Sequence, residues 1–258
     1  MAAFKIATWN VNSLRVRLPY LLSWLAAEQP DVLALQETKL TNEDFPVAAI
    51  HEAGYTSIFS GQKTYNGVAM LIKQKTHQDI ITDLPQLNDP QRRVLGALIE
   101  DIFVLNLYVP NGQSVGSEKY QYKLTWLKHL DNYLQTELKK YPRMLILGDF
   151  NIAPEEIDVH DPAQWQDQVL FSLVERQAFR DLLKIGFQDC FRKLHPTQQQ
   201  YSWWDYRLNA FKRNMGLRID HILASDALAE HCTICHIDKT LRAGERPSDH
   251  VPVIAEFK

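Results

Sequence analysis

Six apolar stretches of this sequence border on residues that can do chemistry. Ile6-Ala7-Thr8-Trp9 runs into Asn10-Val11-Asn12, and Val32-Leu33-Ala34-Leu35 runs into Gln36-Glu37. Val104–Leu107 is followed by Tyr108 and Pro110-Asn111-Gly112, and Met144–Leu147 by Gly148-Asp149-Phe150-Asn151. Arg218-Ile219-Asp220-His221 leads into a run closing at Ala224, and Ser248-Asp249-His250 leads into the last one. Gathered at one sheet edge, these ends would form a pocket rich in hard oxygen donors with one or two imidazoles. Glu37 and Asp249, helped by amide oxygens, would hold a hard divalent cation such as Mg²⁺, which takes few carboxylates and keeps several waters. Such a cation polarises a phosphate oxygen and stabilises a leaving group. An imidazole paired with a carboxylate, His250 with Asp220, can stabilise charge on pentacovalent phosphorus. Asp149, a carboxylate in a crowded acidic pocket, has the raised pKa suited to orienting or deprotonating water. Asn10, Asn151 and Tyr108 are neutral donors for phosphate oxygens. No local motif marks a nucleophilic Ser or Cys. Direct water attack on a phosphomonoester or phosphodiester is the expected reaction.

Short apolar β-type runs recur along the chain: Lys5–Val11, Val32–Gln36, Gly67–Ile72, Val94–Ile99, Val104–Val109, Met144–Gly148, Ile219–Ala224 and Val251–Phe257. Several lack polar alternation, as expected of strands buried on both faces. Helical patterns lie between them. Glu118–Tyr141 carries Tyr122, Trp126, Leu130, Tyr133, Leu134 and Leu138 on one face, with Ser117 as N-cap. A capping box at Ser172-Leu-Val-Glu175 opens a helix running to Leu183, with Gly186 beyond its end. The interleaving predicts one α/β domain over residues 1–258, sheets inside and helices outside. Residues 154–171 read as a long acidic loop, a kind that is often functional.

The 258 residues are 45% hydrophobic and 23% charged, which excludes a wholly disordered, collagen-like or membrane-spanning chain. The longest apolar stretch, Val94–Val109, is broken by Glu100, Asp101 and Asn106, too soon for a span. Three cysteines and an N-terminus that turns polar at Asn10 predict a reducing compartment without structural disulfides; the cytoplasm is expected. Net charge is −3, so nucleic acid would have to meet a local basic patch on an acidic body.

Taken together, Pro30–Lys39, Gly148-Asp149-Phe150-Asn151, Asn214–Asp220 and Pro247-Ser248-Asp249-His250 resemble the exonuclease III family of apurinic/apyrimidinic endonucleases. Order and spacing carry the match from Phe4 to Phe257. The resemblance implies a four-layer α/β sandwich, two packed mixed sheets flanked by helices, like that of DNase I. It also implies DNA repair with Mg²⁺, or Mn²⁺ as a substitute, on duplexes carrying abasic sites, nicks or 3′ ends. It makes Glu37 the principal metal ligand with Asn10 beside it, and has Tyr108 contact the scissile phosphate. Asp149 and Asn151 would handle the water and the transition state, with contact to the metal open for both. Asp220 would orient His250, and Asp249 would serve a metal or the water. Tyr201–Arg207 is similar to the family's aromatic segment near the sugar pocket. Candidate DNA contacts are Asn12, Arg92, Asn111, Trp203, Trp204, Arg207 and Arg218. Arg93, Lys119, Lys123, Lys212 and Arg213 are further cations to weigh.

Departures from the pattern are Cys190, where Ser or Thr is usual, and the acidic residues 154–171, which bear on the choice among abasic nucleotide, terminal 3′ nucleotide and blocked 3′ end. A single Asp or His at a strand edge is ordinarily a solvated or capping group; six in the family's order outweigh that reading. Of Trp203 and Trp204, one reads as core and the other as a stacking surface. Cys232-Thr-Ile-Cys-His236 matches a haem-attachment pattern, but a short strand there would point its thiols to opposite faces, as packing residues. Two other functions compete: a non-DNA phosphodiesterase of the same fold, and a catalytically silent DNA-damage binding module. A monomer without an obligatory protein partner is expected.

Overall fold

The computed structural model describes residues 3–258. The chain runs β1 (Phe4–Asn10), α1 (Leu14–Glu28), β2 (Val32–Gln36), α2 (Val47–Glu52), β3 (Thr56–Ser60), β4 (Val68–Ile72), β5 (His77–Ile81), β6 (Val94–Ile99) and β7 (Ile102–Tyr108). It continues through α3 (Glu118–Lys140), β8 (Met144–Asp149), α4 (Pro162–Trp165), α5 (Leu173–Lys184), β9 (Phe187–Asp189) and α6 (Cys190–Leu194). It closes with β10 (Asp220–Ser225), α7 (Asp226–Ala229), β11 (Cys232–Ile237) and β12 (Val253–Phe257). Two six-stranded mixed sheets result, ordered β11-β12-β1-β2-β4-β3 and β5-β6-β7-β8-β10-β9. Each has a parallel pair near its middle, β1 with β2 and β7 with β8.

Side-chain alternation explains why the strands read as continuous apolar runs. Ile6, Val32, Ala34, Val104, Leu145, Leu147, Ile222 and Ala224 face the other sheet and form the central core. Their neighbours Ala7, Leu33 and Leu35 turn outward to α1, while Phe103, Leu105 and Ile146 pack against α3 and α5. Both faces are buried, giving the four-layer sandwich. Gly148 lies where β7 crowds β8: its φ is +144°, and a Cβ would fall 1.9 Å from the Leu107 carbonyl oxygen.

Helix signals match the sequence reading closely. The Ser117 hydroxyl accepts from the Tyr120 N–H at 3.2 Å, and Ser172 and Glu175 close a reciprocal capping box on α5. The segment 154–171 is less loose than expected. Asp158 is buried against Arg218 and Arg192, Glu155 is held by Arg176 and Arg180, and Asp161 caps α4. Two of its five acids therefore anchor the segment to the body and a third caps its own short helix; Glu156, Asp161 and Asp167 are exposed.

The expected opposition of Cys232 and Cys235 is overturned. A bulge between Cys232 and Ile234 resets the alternation, so both thiols enter the central core beside Cys190. Among the described residues, no helix is long and apolar enough to cross a membrane.

Candidate active site

The inward-facing rows of the two sheets change character towards one edge. Behind Ile6, Ala34 and Val104 comes a fully buried polar layer of Thr8, Gln36 and Asn106. Gln36 Nε2 donates to Thr8 Oγ1 (2.9 Å) and Asn106 Oδ1 (2.7 Å). Asn106 Nδ2 crosses the sandwich to the Leu35 and Ala69 carbonyls. The next positions in the same rows are Asn10 on β1, Tyr108 on β7 and Asp149 on β8, with Glu37 following β2. Asp220 begins β10 in the row of Ile222 and Ala224. The expected strand ends thus meet at one edge.

Asn10 Nδ2 donates to Glu37 Oε1 and to Asp149 Oδ2, both at 2.9 Å, and ties the first sheet to the second. His250 Nδ1 lies 2.9 Å from Asp220 Oδ2, and its Nε2 lies 3.7 Å from Asp149 Oδ2. The Asn151 N–H donates to Asp149 Oδ1, and Asn111 Nδ2 donates to Asn151 Oδ1. The Tyr108 phenol lies beside the Glu37 carboxylate, and its ring stacks under the Arg93 guanidinium, 4.7 Å from the ring centroid.

These contacts set the charges. Burial raises the Glu37 pKa, but Lys39, Asn10 and His250 outweigh it, so its carboxylate is held ionised below the usual range. Asp149 is pushed up to about 7, first by burial and then by Asp220 and Glu37, against the pull of His250 and Asn10. Burial alone would lower the His250 pKa; Asp220 and Asp149 reverse it and carry it to about 10. The Tyr108 phenol stays protonated because burial and the charges of Glu37 and Asp149 penalise the phenolate.

Among the described residues, Glu37, Asp149 and His250 place one ligand atom each within 4.8 Å of one another. With His250 protonated, the remaining donors are carboxylate oxygens, a set that fits a hard divalent cation. Asp249 stands outside this group. Its oxygens accept from Asn12 Nδ2 (2.9 Å) and Trp203 Nε1 (3.0 Å).

The expected DNA contacts divide. Arg92, Asn111 and Arg207 are exposed, and Asn12 and Trp203 are half-buried at the site's edge. Arg218 is no surface cation: it is 1% exposed and bound to Asp158 and Asp189 at 2.7 Å each. Trp204 is likewise core, packed edge-on to Phe211. Lys123 is fully buried, donating to the Asn151 carbonyl (2.7 Å) and paired with Glu175, and Arg93 is held behind Tyr108. Lys119, Lys212 and Arg213 are exposed. Sequence reading assigned no role to Lys39, whose Nζ meets Glu37 Oε2 at 2.9 Å, nor to Ser202 and Ser248. Ser248 Oγ donates to the Asn10 carbonyl at 2.7 Å, joining the last motif to the first. The available signals were the place of Lys39 two residues after Glu37 and of Ser248 beside Asp249; Ser202, 18 residues from Asp220, carried none beyond its place in the aromatic segment.

The endonuclease/exonuclease/phosphatase family model matches residues 7–250, which span the whole site. The chain belongs to this family. Within the family it falls in the exonuclease III group. It is 40% identical to exodeoxyribonuclease III of Haemophilus influenzae, covering 98% of this chain and 100% of the relative. A 3′ phosphatase from Neisseria, solved bound to a product DNA hairpin, superposes with a TM-score of 0.97 at 46% identity, covering 99% of each chain. An AP endonuclease from Archaeoglobus fulgidus gives 0.96 at 43% identity, again covering 99% of each. The endonuclease/exonuclease/phosphatase family and the four-layer sandwich thus agree with the expectation from the motifs.

Proposed function

We propose that this protein is a metal-dependent DNA repair nuclease of the exonuclease III type, processing 3′ ends and cutting 5′ to abasic sites in duplex DNA. The observation that carries it is the meeting of Glu37, Asn10, Asp149 and the Asp220–His250 pair at one edge. A divalent cation, Mg²⁺ or Mn²⁺, held by Glu37 beside Asn10 supplies charge neutralisation at the phosphate. Asp149, with a pKa of about 7, takes the proton of the attacking water. Protonated His250 and the Tyr108 phenol donate to phosphate oxygens as negative charge grows on them. Asn151, fixed by Asn111 and by its own N–H on Asp149, borders the water's position. Asp249 holds Asn12 and Trp203 at the rim, where the indole offers a face to the sugar.

Removal of a 3′ phosphate is expected to be the faster reaction, supported by the Neisseria likeness at 46% identity. The test uses two labelled duplexes, one with an internal abasic analogue and one with a 3′-phosphorylated nick, each with Mg²⁺ and with EDTA. Metal-dependent turnover of the nick, with slower cutting at the abasic site, is expected. Faster abasic cleavage reverses the order of substrates. Inertness on both overturns the reading in favour of a non-DNA phosphodiesterase or, if the duplex is bound uncut, a silent binding module.

A further inference from the structure

Ser202 precedes Trp203 in the aromatic segment and is fully buried. Its hydroxyl oxygen accepts from the Ile219 N–H at 3.1 Å and the Asp220 N–H at 3.0 Å. A serine hydroxyl has two lone pairs and one proton. Both lone pairs are taken, so the single proton has one direction left, towards Asp220 Oδ2 at 2.6 Å. That same carboxylate receives His250 Nδ1 at 2.9 and 3.1 Å. The Ser202 backbone is fixed as well: its N–H donates to the Leu217 carbonyl, and its own carbonyl accepts from Val251, one residue past His250. A single residue therefore grips Asp220 by main chain and side chain, and grips the segment that carries His250.

We propose that Ser202 is a positioning residue: its hydroxyl locks the Asp220 carboxylate in the plane that aims the Nε2 edge of His250 into the site. This rests on the nuclease reading only for its kinetic consequence; the geometric consequence stands without it. Without the hydroxyl, Asp220 is free to rotate about its Cβ–Cγ bond, and the imidazole it holds follows. Misplacement of this order costs rate rather than ground-state affinity.

The test combines Ser202→Ala, Ser202→Thr, Asp220→Asn and the Ser202→Ala/Asp220→Asn double variant, at saturating Mg²⁺ on the 3′-phosphorylated nick. The second readout is the NMR signal of the His250 Nδ1–H proton, assigned by its loss in His250→Gln. Ser202→Ala is expected to lower kcat about 10- to 100-fold with KM changed less than about threefold. It should also shift or broaden the imidazole signal. In the Asp220→Asn background the same substitution should cost less than about twofold, because the group it acts through is already altered. Ser202→Thr keeps the hydroxyl and should keep both rate and signal. Wild-type kcat and an unmoved signal in Ser202→Ala overturn the proposal, as does an undiminished loss in the Asp220→Asn background. Should Ser202→Ala fail to fold, the threonine variant decides: folded but slow, with the signal lost, it overturns the assignment. If the wild type itself cuts no DNA, the nuclease reading falls while the imidazole signal still decides the role of Ser202.

Discussion

Glu37 has a positive φ of 51°, an uncommon conformation for a residue with a side chain, and it sits one residue beyond β2 where the strand ladder has ended. That backbone carries its carboxylate to Asn10, Lys39 and the Tyr108 phenol at once. Glu37→Gln keeps the shape and removes the charge. Turnover is expected to fall by about 10³-fold or more, with the melting temperature little changed. Cleavage assays paired with thermal denaturation check this, and near-normal activity would remove Glu37 from the metal's place. On the proposed mechanism, Tyr108→Phe deletes a single donor to the phosphate. About a 10- to 100-fold loss in kcat is expected, without loss of DNA binding by gel shift.

At the scale of elements, two buried charge clusters hold the segments that frame the site. Lys123 on α3 meets Glu175 on α5 with both side chains fully buried, and the ammonium also takes the Asn111 and Asn151 carbonyls. Lys123→Met strands the Glu175 carboxylate and should cost about 3–5 kcal/mol, read by chemical denaturation. Arg218 joins Asp158 in the acidic segment to Asp189 at the head of α6. Burial opposes ionisation of both carboxylates, but Arg218 reverses it and holds both below their ordinary range. A depressed folded-state pKa stabilises the protein above the unfolded value near 4 and loses that contribution as pH falls through the folded value. Arg218→Met should therefore lower the melting temperature more at pH 7 than at pH 3; equal losses at both would contradict this. Such partners lie far apart along the chain, which is why Arg218 and Lys123 read as surface cations. Local signals were plainer: Ser117 and Ser172 announced α3 and α5. By contrast α1 has no side-chain cap and holds Pro19 inside, and the exposed β5 has no apolar pattern, so both passed unread. Polar residues at the ends of apolar runs were legible because both faces of these strands are buried until the chain leaves the core.

Across the whole molecule, catalytic geometry depends on how one sheet sits on the other. Glu37 and Asn10 come from the first sheet, Tyr108 and Asp149 from the second, and Asn106 is the bolt between them, bonding to Leu35, Ala69 and Gln36. Asn106→Leu fills the volume but leaves the Gln36 amide without that acceptor, at a cost of about 1–3 kcal/mol. A fall in kcat beyond what the lost stability explains, at constant metal, is the expected outcome. Steady-state kinetics well below the melting transition measures it.

The strand after His250 has one more consequence. β12 is not an edge strand; it lies between β11 and β1, pairing Phe257 with Phe4. β1 thus waits for β12, and Asn10 waits for His250, which comes 240 positions later in the chain. A nascent chain synthesised only as far as β11 has neither the imidazole nor the strand that carries it. The earlier motifs cannot assemble a working site as they emerge; it is armed only when His250 and the strand behind it close onto β1.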